Sequence, residues 1–133
     1  MAAKSKEFRY AVDLHDGGPL RTEDGTALDA DPAWSPEHLL LAALVRCSLK
    51  SLGHHAGRAG ISVEHAHGSG RAVIAKRESD DRYAVVELEV DLDVRLSPEP
   101  GEQELAALLA KAERDCFIGA SLTVKPTYRW ATH

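Results

Sequence analysis

The sequence predicts an α+β fold in the order β-β-α-β-β-α-β, with long antiparallel strands wrapped around a buried central helix. Three observations carry that expectation. Residues 82–96 show the strongest alternation of apolar and polar side chains in the chain. Residues 39–45 are an unbroken apolar run inside a segment with helix start signals. Residues 102–117 repeat apolar side chains at helical spacing.

The elements follow in order. In residues 8–14, Phe8, Tyr10, Val12 and Leu14 alternate with Arg9, Ala11 and Asp13, as in a half-buried strand. The turn residues His15-Asp16-Gly17-Gly18-Pro19 come next. A second strand is expected over residues 20–28, with Asp24-Gly25 as a hairpin turn inside it. Ser35-Pro36-Glu37 then opens a helix: Ser at the cap, Pro at the first helical position, an acid where the dipole favours it. This helix is expected to reach Leu52 and stop at Gly53. Its apolar residues cover the whole circumference, so it is placed at the centre, wrapped by sheet or by a partner subunit.

Residues 61–76 read as extended, with Gly68 and Gly70 as bulge or bend points. Glu78-Ser79-Asp80-Asp81 is a turn. In residues 82–96, Ala84, Val86, Leu88, Val90, Leu92, Val94 and Leu96 share one face, against a largely charged one. Ser97-Pro98-Glu99-Pro100-Gly101 breaks the chain. The second helix follows, with Leu105, Leu108, Leu109, Ala112 and Cys116 on one side and Gly119 as its cap. The last strand is placed at residues 121–130, with Leu122, Val124, Tyr128 and Trp130 on one face. Pro126 within it suggests a sheet edge.

Length and composition bound the function. With 133 residues, 44% of them hydrophobic, the chain is one domain's worth of protein, and it is read as a single domain over residues 1–133. Its 21 acidic and 16 basic residues give a net charge of −5, without the basic excess of a nucleic-acid binder. The longest apolar run is far short of the roughly twenty residues a membrane span needs. Met-Ala-Ala-Lys-Ser-Lys-Glu at the start has no apolar stretch behind it, unlike a secretory signal. Two cysteines do not make a disulfide scaffold. A cytoplasmic protein is expected.

Three groups of residues could carry chemistry. Cys47 and Cys116 each lie on an apolar face of a predicted helix. If the helices pack together, the thiols could form a redox pair, one attacking and one resolving. Equally, each could be a buried small hydrophobe. Cys47 lies far from its helix N-terminus, so the dipole does not activate it. Glu37 is ten residues before Cys47, about 15 Å along a helix. It could serve the thiol only through a long intermediate such as an arginine, or from a second subunit; it could also simply complement the helix dipole. His65 and His67 share a strand face, and His54-His55 end the central helix. Two ligands do not make a metal centre, and no third is obviously placed to join them.

Ser35-Pro36-Glu37-His38-Leu39-Leu40-Leu41-Ala42-Ala43-Leu44-Val45-Arg46-Cys47 resembles the helix of the OsmC/Ohr family of thiol-dependent peroxide reductases. Ala112-Glu113-Arg114-Asp115-Cys116-Phe117-Ile118-Gly119-Ala120-Ser121-Leu122 resembles that family's resolving-cysteine segment. The two cysteines stand about 70 residues apart, and the element order also suits the family. The resemblance implies that Cys47 is the peroxidatic nucleophile, Cys116 the resolving cysteine, and Glu37 the acid that holds an essential arginine. That arginine follows a Gly-Gly turn in the family. Here Gly17-Gly18-Pro19-Leu20-Arg21 makes Arg21 the candidate, two positions from the Ohr-branch pattern, with Arg9 a poorer one. The residue after the resolving cysteine, often proline, is Phe117. An intertwined homodimer with sites between subunits is also implied.

The resulting expectation is a peroxiredoxin-like hydroperoxide reductase of oxidative-stress defence. It needs no metal or flavin, acts on organic hydroperoxides in preference to hydrogen peroxide, and is recycled by an external dithiol. The alternatives are a hot-dog-fold acyl thioesterase with Glu37 or His38 as base, and a non-catalytic family member that binds a small apolar ligand.

Overall fold

The structure, a computed structural model, describes residues 5–29 and 31–133. The chain separates into two compact units, one ending at Ser35 and one spanning Pro36–His133.

The N-terminal unit is a three-stranded antiparallel meander of β1 (Val12–Leu14), β2 (Leu20–Thr22) and β3 (Ala27–Leu28). The glycine-rich turn after Leu14 closes with Gly18 N–H donating to His15 O at 2.7 Å. Asp24-Gly25 forms the second turn, as expected, and Thr26 Oγ1 donates to Asp24 Oδ1 at 2.8 Å. The strand expected over residues 8–14 pairs only at its last three residues. Phe8, Tyr10, Val12 and Leu14 are all exposed in the single chain. Alternation marks an apolar face, but it does not supply the surface that would cover it.

The second unit is built on α1 (Pro36–Arg58) and the long strands β4 (Ser62–Lys76) and β5 (Tyr83–Ser97). It is completed by α2 (Glu102–Arg114), the single turn α3 (Phe117–Ala120), and β6 (Thr127–Thr132). Helix α1 starts at Pro36, as predicted, but runs through Gly53 to Arg58. Leu52 and Ala56 are buried with Leu108 and Ala112 of α2, and that packing outweighs the roughly 1 kcal/mol a helix-interior glycine costs. The stop is Gly60, at φ +74°. Gly60 N–H donates to Gly57 O at 3.1 Å and Ile61 N–H to Ala56 O at 2.8 Å, the paired bonds of a Schellman ending. Nor is α1 buried all round in the single chain. Its buried residues, Leu44, Ser48, Ser51, Leu52 and Ala56, form one face, while Ala42 is exposed and Leu39, Leu40 and Leu41 are half-covered.

The sheet order is β4-β5-β6, so β6 is an edge strand, as Pro126 just before it suggested. β4 and β5 are antiparallel, but β6 runs parallel to β5. The α2–α3 connection is a crossover that carries the chain back along the sheet, which is why the last strand departs from the antiparallel expectation. On β5, Leu88, Val90, Leu92, Val94 and Leu96 are all buried. On the opposite face, Arg71 of β4 bonds Glu89 and Asp91 of β5 at 2.8 and 2.7 Å.

The register irregularities in β4 lie at Val63/His65 and Val73/Ile74, not at Gly68 or Gly70. The glycines have a different purpose. A Cβ on Gly68 would lie 2.6 Å from Val45 Cγ1, and one on Gly70 3.3 Å from Leu41 Cδ2. They let α1 approach the sheet closely.

The second helix also departs from expectation. Asp115 is the C-cap of α2, and Cys116 turns to an extended conformation (φ −73°, ψ 111°) and becomes the N-cap of α3. Cys116 therefore does not end α2, Gly119 lies inside α3, and the last strand starts at Thr127 rather than 121. Among the described residues, no helix is long and apolar enough to cross a membrane.

Candidate functional site

Cys47 lies midway along α1, and its side chain packs against the apolar cluster of Leu44, Leu88, Val90, Leu92 and Cys116. Both cysteines are free thiols. Cys116 is fully buried (0% exposed), whereas Cys47 is only partly covered. Cys47 packs against the same cluster as Cys116, near enough for the Cys116 thiol to act on its ionisation. Two residues distant in sequence thus meet because α3 packs on α1.

The electrostatics of Cys47 are mixed. Burial pushes its thiol up, and the neighbouring Cys116 adds to the shift. The backbone amides of Ile118 and Phe117, in the first turn of α3, pull it down. None of these influences is a cation. A thiolate here needs further stabilisation before it becomes a strong nucleophile at neutral pH.

Cys116 sits in a polar arrangement that periodicity alone did not predict. Gly119 N–H donates to Cys116 Sγ at 3.4 Å. Ser48 Oγ lies 3.7 Å from Cys116 Sγ and 3.0 Å from the Tyr128 hydroxyl, and it donates to Leu44 O at 2.8 Å. Burial pushes the Tyr128 phenol up to about 12; the Ser48 hydrogen bond opposes this, and Cys116 adds to it. Tyr128 also stacks on Trp130, with ring centroids 5.9 Å apart. The signals were available in part. Ser48 is a polar residue on the buried side of a helix, and Tyr128 alternates in sequence with apolar residues on one strand face. A buried hydroxyl needs a partner.

Next to this group, His55 Nε2 lies 2.7 Å from Asp115 Oδ2, joining the end of α1 to the residue before Cys116. The Arg114 guanidinium, then His55, hold the Asp115 carboxyl down at about 2.

The other expected site residues lie apart from the thiols or in the other unit. Glu37 is exposed in the first turn of α1, about 15 Å along the helix from Cys47. Arg21 belongs to β2 of the N-terminal unit, where Nη1 donates to Gly25 O at 3.2 Å. His65 and His67 are exposed on β4, opposite Arg95 and Asp93. Among the described residues, no three His, Cys, Asp or Glu side chains cluster as metal ligands. An open groove bordered by Lys76, Arg77, Asp80, Val85, Thr123 and Val124 contains neither thiol.

An α+β chain with a long glycine-seated helix and a thiol pair drawn from two helices defines a specific class. A family model described as OsmC-like protein matches residues 28–130, and the chain belongs to that family. Membership sets aside the hot-dog-fold alternative. The fold is similar to an OsmC-like protein of unknown function from Vibrio cholerae, at TM-score 0.75 and 17% identity, covering 95% of this chain and 99% of that one. It is also similar to an organic hydroperoxide resistance protein OsmC from Legionella pneumophila, at TM-score 0.62 and 21% identity, covering 96% and 98%. A third similar structure is the organic hydroperoxide resistance protein OhrB of Bacillus subtilis, at TM-score 0.60 and 17% identity, covering 94% and 96%. These TM-scores establish likeness of fold. Comparison with curated proteins gives no match.

Proposed function

We propose that this protein is a cysteine-based hydroperoxide reductase that acts in peroxide-stress defence in the cytoplasm. The observation that carries this reading is the packing of a partly accessible thiol, Cys47, in one cluster with a fully buried one, Cys116. That asymmetry suits a nucleophile that meets substrate and a partner that resolves it.

The Cys47 thiolate attacks the terminal oxygen of the O–O bond. Sulfur gains the hydroxyl as a sulfenic acid, and the alkoxide leaves and takes a proton to become the alcohol. Cys116 then attacks the sulfenic sulfur, the S–O bond breaks, and water leaves as the disulfide forms. An external dithiol reduces that disulfide and is itself oxidised. The apolar residues around Cys47 favour an organic hydroperoxide.

The reading assigns the missing cation to Arg21, oriented by Glu37. An arginine stays protonated and can donate to a thiolate and a carboxylate together. It further takes residues 1–133 as one domain, because the family match begins at residue 28, within the N-terminal unit. An intertwined homodimer is favoured by the exposed apolar row Phe8, Tyr10, Val12, Leu14 and Leu28 and by the half-covered start of α1.

The test is the free-thiol count and mass before and after one equivalent of cumene hydroperoxide. The expected result is loss of both thiols with a two-hydrogen decrease in mass. Cys47→Ser should abolish it, and Cys116→Ser should leave a single oxidised thiol. Arg21→Ala should slow the first step. Survival of both thiols in excess peroxide would overturn the reading and favour a non-catalytic ligand binder.

A further inference from the structure

We propose that Ser48 and Tyr128 are positioning residues that hold the buried Cys116 as a thiol at rest and supply a hydrogen-bond donor to it when it ionises to close the disulfide. This rests on the redox reading of the cysteine pair above.

The argument is a count of protons. Ser48 is 1% exposed, and its hydroxyl carries one hydrogen, donated to Leu44 O at 2.8 Å. The Ser48 oxygen can therefore only accept from its other two neighbours. Tyr128 O–H donates to it across 3.0 Å, and the Cys116 S–H points at it across 3.7 Å. Both lone pairs are then engaged, and Gly119 N–H caps the sulfur from the other segment. The resting arrangement is complete with Cys116 protonated.

Ionisation of Cys116 reverses one link. The Ser48 hydroxyl can rotate from the Leu44 carbonyl to the sulfur and become a donor to the thiolate. Leu44 O is not orphaned, because it keeps the backbone bond from Ser48 N–H inside α1. Tyr128 O–H continues to donate to the Ser48 oxygen and so strengthens the new bond. A sulfur with no exposure has no water to stabilise its charge, so it relies on this donor and Gly119 N–H, with the Tyr128 hydroxyl close by. The ionisable groups that interact with the sulfur are Cys47 from α1 and Tyr128 from β6; Glu113 of α2 acts on Tyr128, and His55 of α1 pairs with Asp115, the residue before Cys116. The β5 residues packed there, Leu88, Val90 and Leu92, are apolar.

The step affected is resolution. Cys116–SH and Cys47–SOH give the S–S bond and one water, with the Cys116 proton leaving on the expelled hydroxide. First oxidation of Cys47 does not draw on Ser48 or Tyr128 and should be unchanged.

The experiment follows disulfide closure by quenched-flow mass spectrometry from pH 6 to 10 in wild type, Ser48→Ala and Tyr128→Phe. Closure is triggered in one arm by cumene hydroperoxide and in the other by diamide, an azodicarboxamide that takes up two hydrogens and needs no peroxidase chemistry. The expected result in both arms is closure slowed about tenfold in Ser48→Ala, with its pH midpoint moved up by about one unit. Tyr128→Phe should move the same way by less. Sulfenic acid formation in the peroxide arm should stay at the wild-type rate. Wild-type closure rates and pH midpoints in both variants would overturn the inference. An equal loss in the first oxidation step would also overturn it, since that marks general damage to the site. A wild-type protein inert to peroxide but closed by diamide would instead refute the peroxidase reading, and the diamide arm would still decide the role of Ser48 and Tyr128.

Discussion

Gly68→Ala probes how α1, and with it Cys47, is seated on the sheet. The added Cβ would lie 2.6 Å from Val45 Cγ1 and 2.9 Å from Leu92 Cδ2. Carbon atoms sit comfortably at about 3.5–4.0 Å, so roughly 1 Å must open. Neither neighbour turns away cheaply. Val45 is β-branched in a helix, where one χ1 rotamer dominates, and Leu92 is buried in the core. Overpacking of this kind costs about 1–3 kcal/mol. The alanine also restricts the unfolded chain, which returns about 0.4–1 kcal/mol. The net expectation is a loss of about 1–2 kcal/mol, or a melting temperature lower by roughly 3–8 °C for a chain of this length. Gly70→Ala is the control. Its Cβ would meet Leu41 and Val45 at 3.3 Å, a few tenths too close, so the change should stay within about 0.5 kcal/mol. Thermal unfolding followed by circular dichroism measures both. A second cycle places Gly68→Ala in a Val45→Ala background. There its cost should fall by about half, because the Leu92 contact persists. A Gly68→Ala protein that melts at or above wild type would refute the reasoning. So would an undiminished cost in the Val45→Ala background.

Two pH dependences follow from the groups around Cys116. Asp115 is held down at about 2 in the fold, against an ordinary value of 3.8. Between those values the unfolded chain binds the proton and the folded chain does not, so this contribution to stability is present above the window and lost as pH falls through it. Urea unfolding at pH 7 and near pH 2 should show the gap between wild type and Asp115→Asn narrowing in acid; an unchanged gap refutes the assignment. The Tyr128 phenol is pushed up to about 12 from an ordinary 10.0. The folded chain keeps a proton there that the unfolded chain gives up, so stability falls as pH rises from 10 to 12. The absorbance difference at 295 nm between wild type and Tyr128→Phe should titrate near pH 12, and a midpoint near 10 would refute the burial argument.

Much of the fold was legible because the relevant signals are local. The alternation in β5 put Leu88, Val90, Leu92, Val94 and Leu96 on one face, and they are buried together. Ser35-Pro36-Glu37 marked the start of α1 correctly. The errors occurred where packing competes with local preference. Gly53 reads as a stop, but Leu52 and Ala56 are held against α2 and the helix continues to the Gly60 ending. Gly68 and Gly70 read as bulges, because the sequence does not reveal that a helix lies over them. Cys116 fell in a helical repeat that in fact ends at Arg114.

The candidate site divides along the same line. The family resemblance names Cys47, Cys116, Glu37 and Arg21 as candidates, and of these Cys47 and Cys116 pack in one cluster. Ser48 and Tyr128 could not be linked to Cys116, since their partnership joins a helix, a one-turn helix and an edge strand.

Periodicity, capping and composition by themselves determined the two long helices and the two long strands in their order, the helix start, the inner face of β5 and the absence of a basic excess; the division of residues 20–28 into two strands and the short helix α3 were not among them. Each depends on residues a few positions apart, where dihedral preference and side-chain direction act directly. The tertiary structure alone decided that β6 runs parallel, that α1 passes two glycines, and that the two thiols share one cluster, with Cys116 beside Ser48. Those outcomes depend on which distant surfaces are buried against each other, and no local preference encodes that choice.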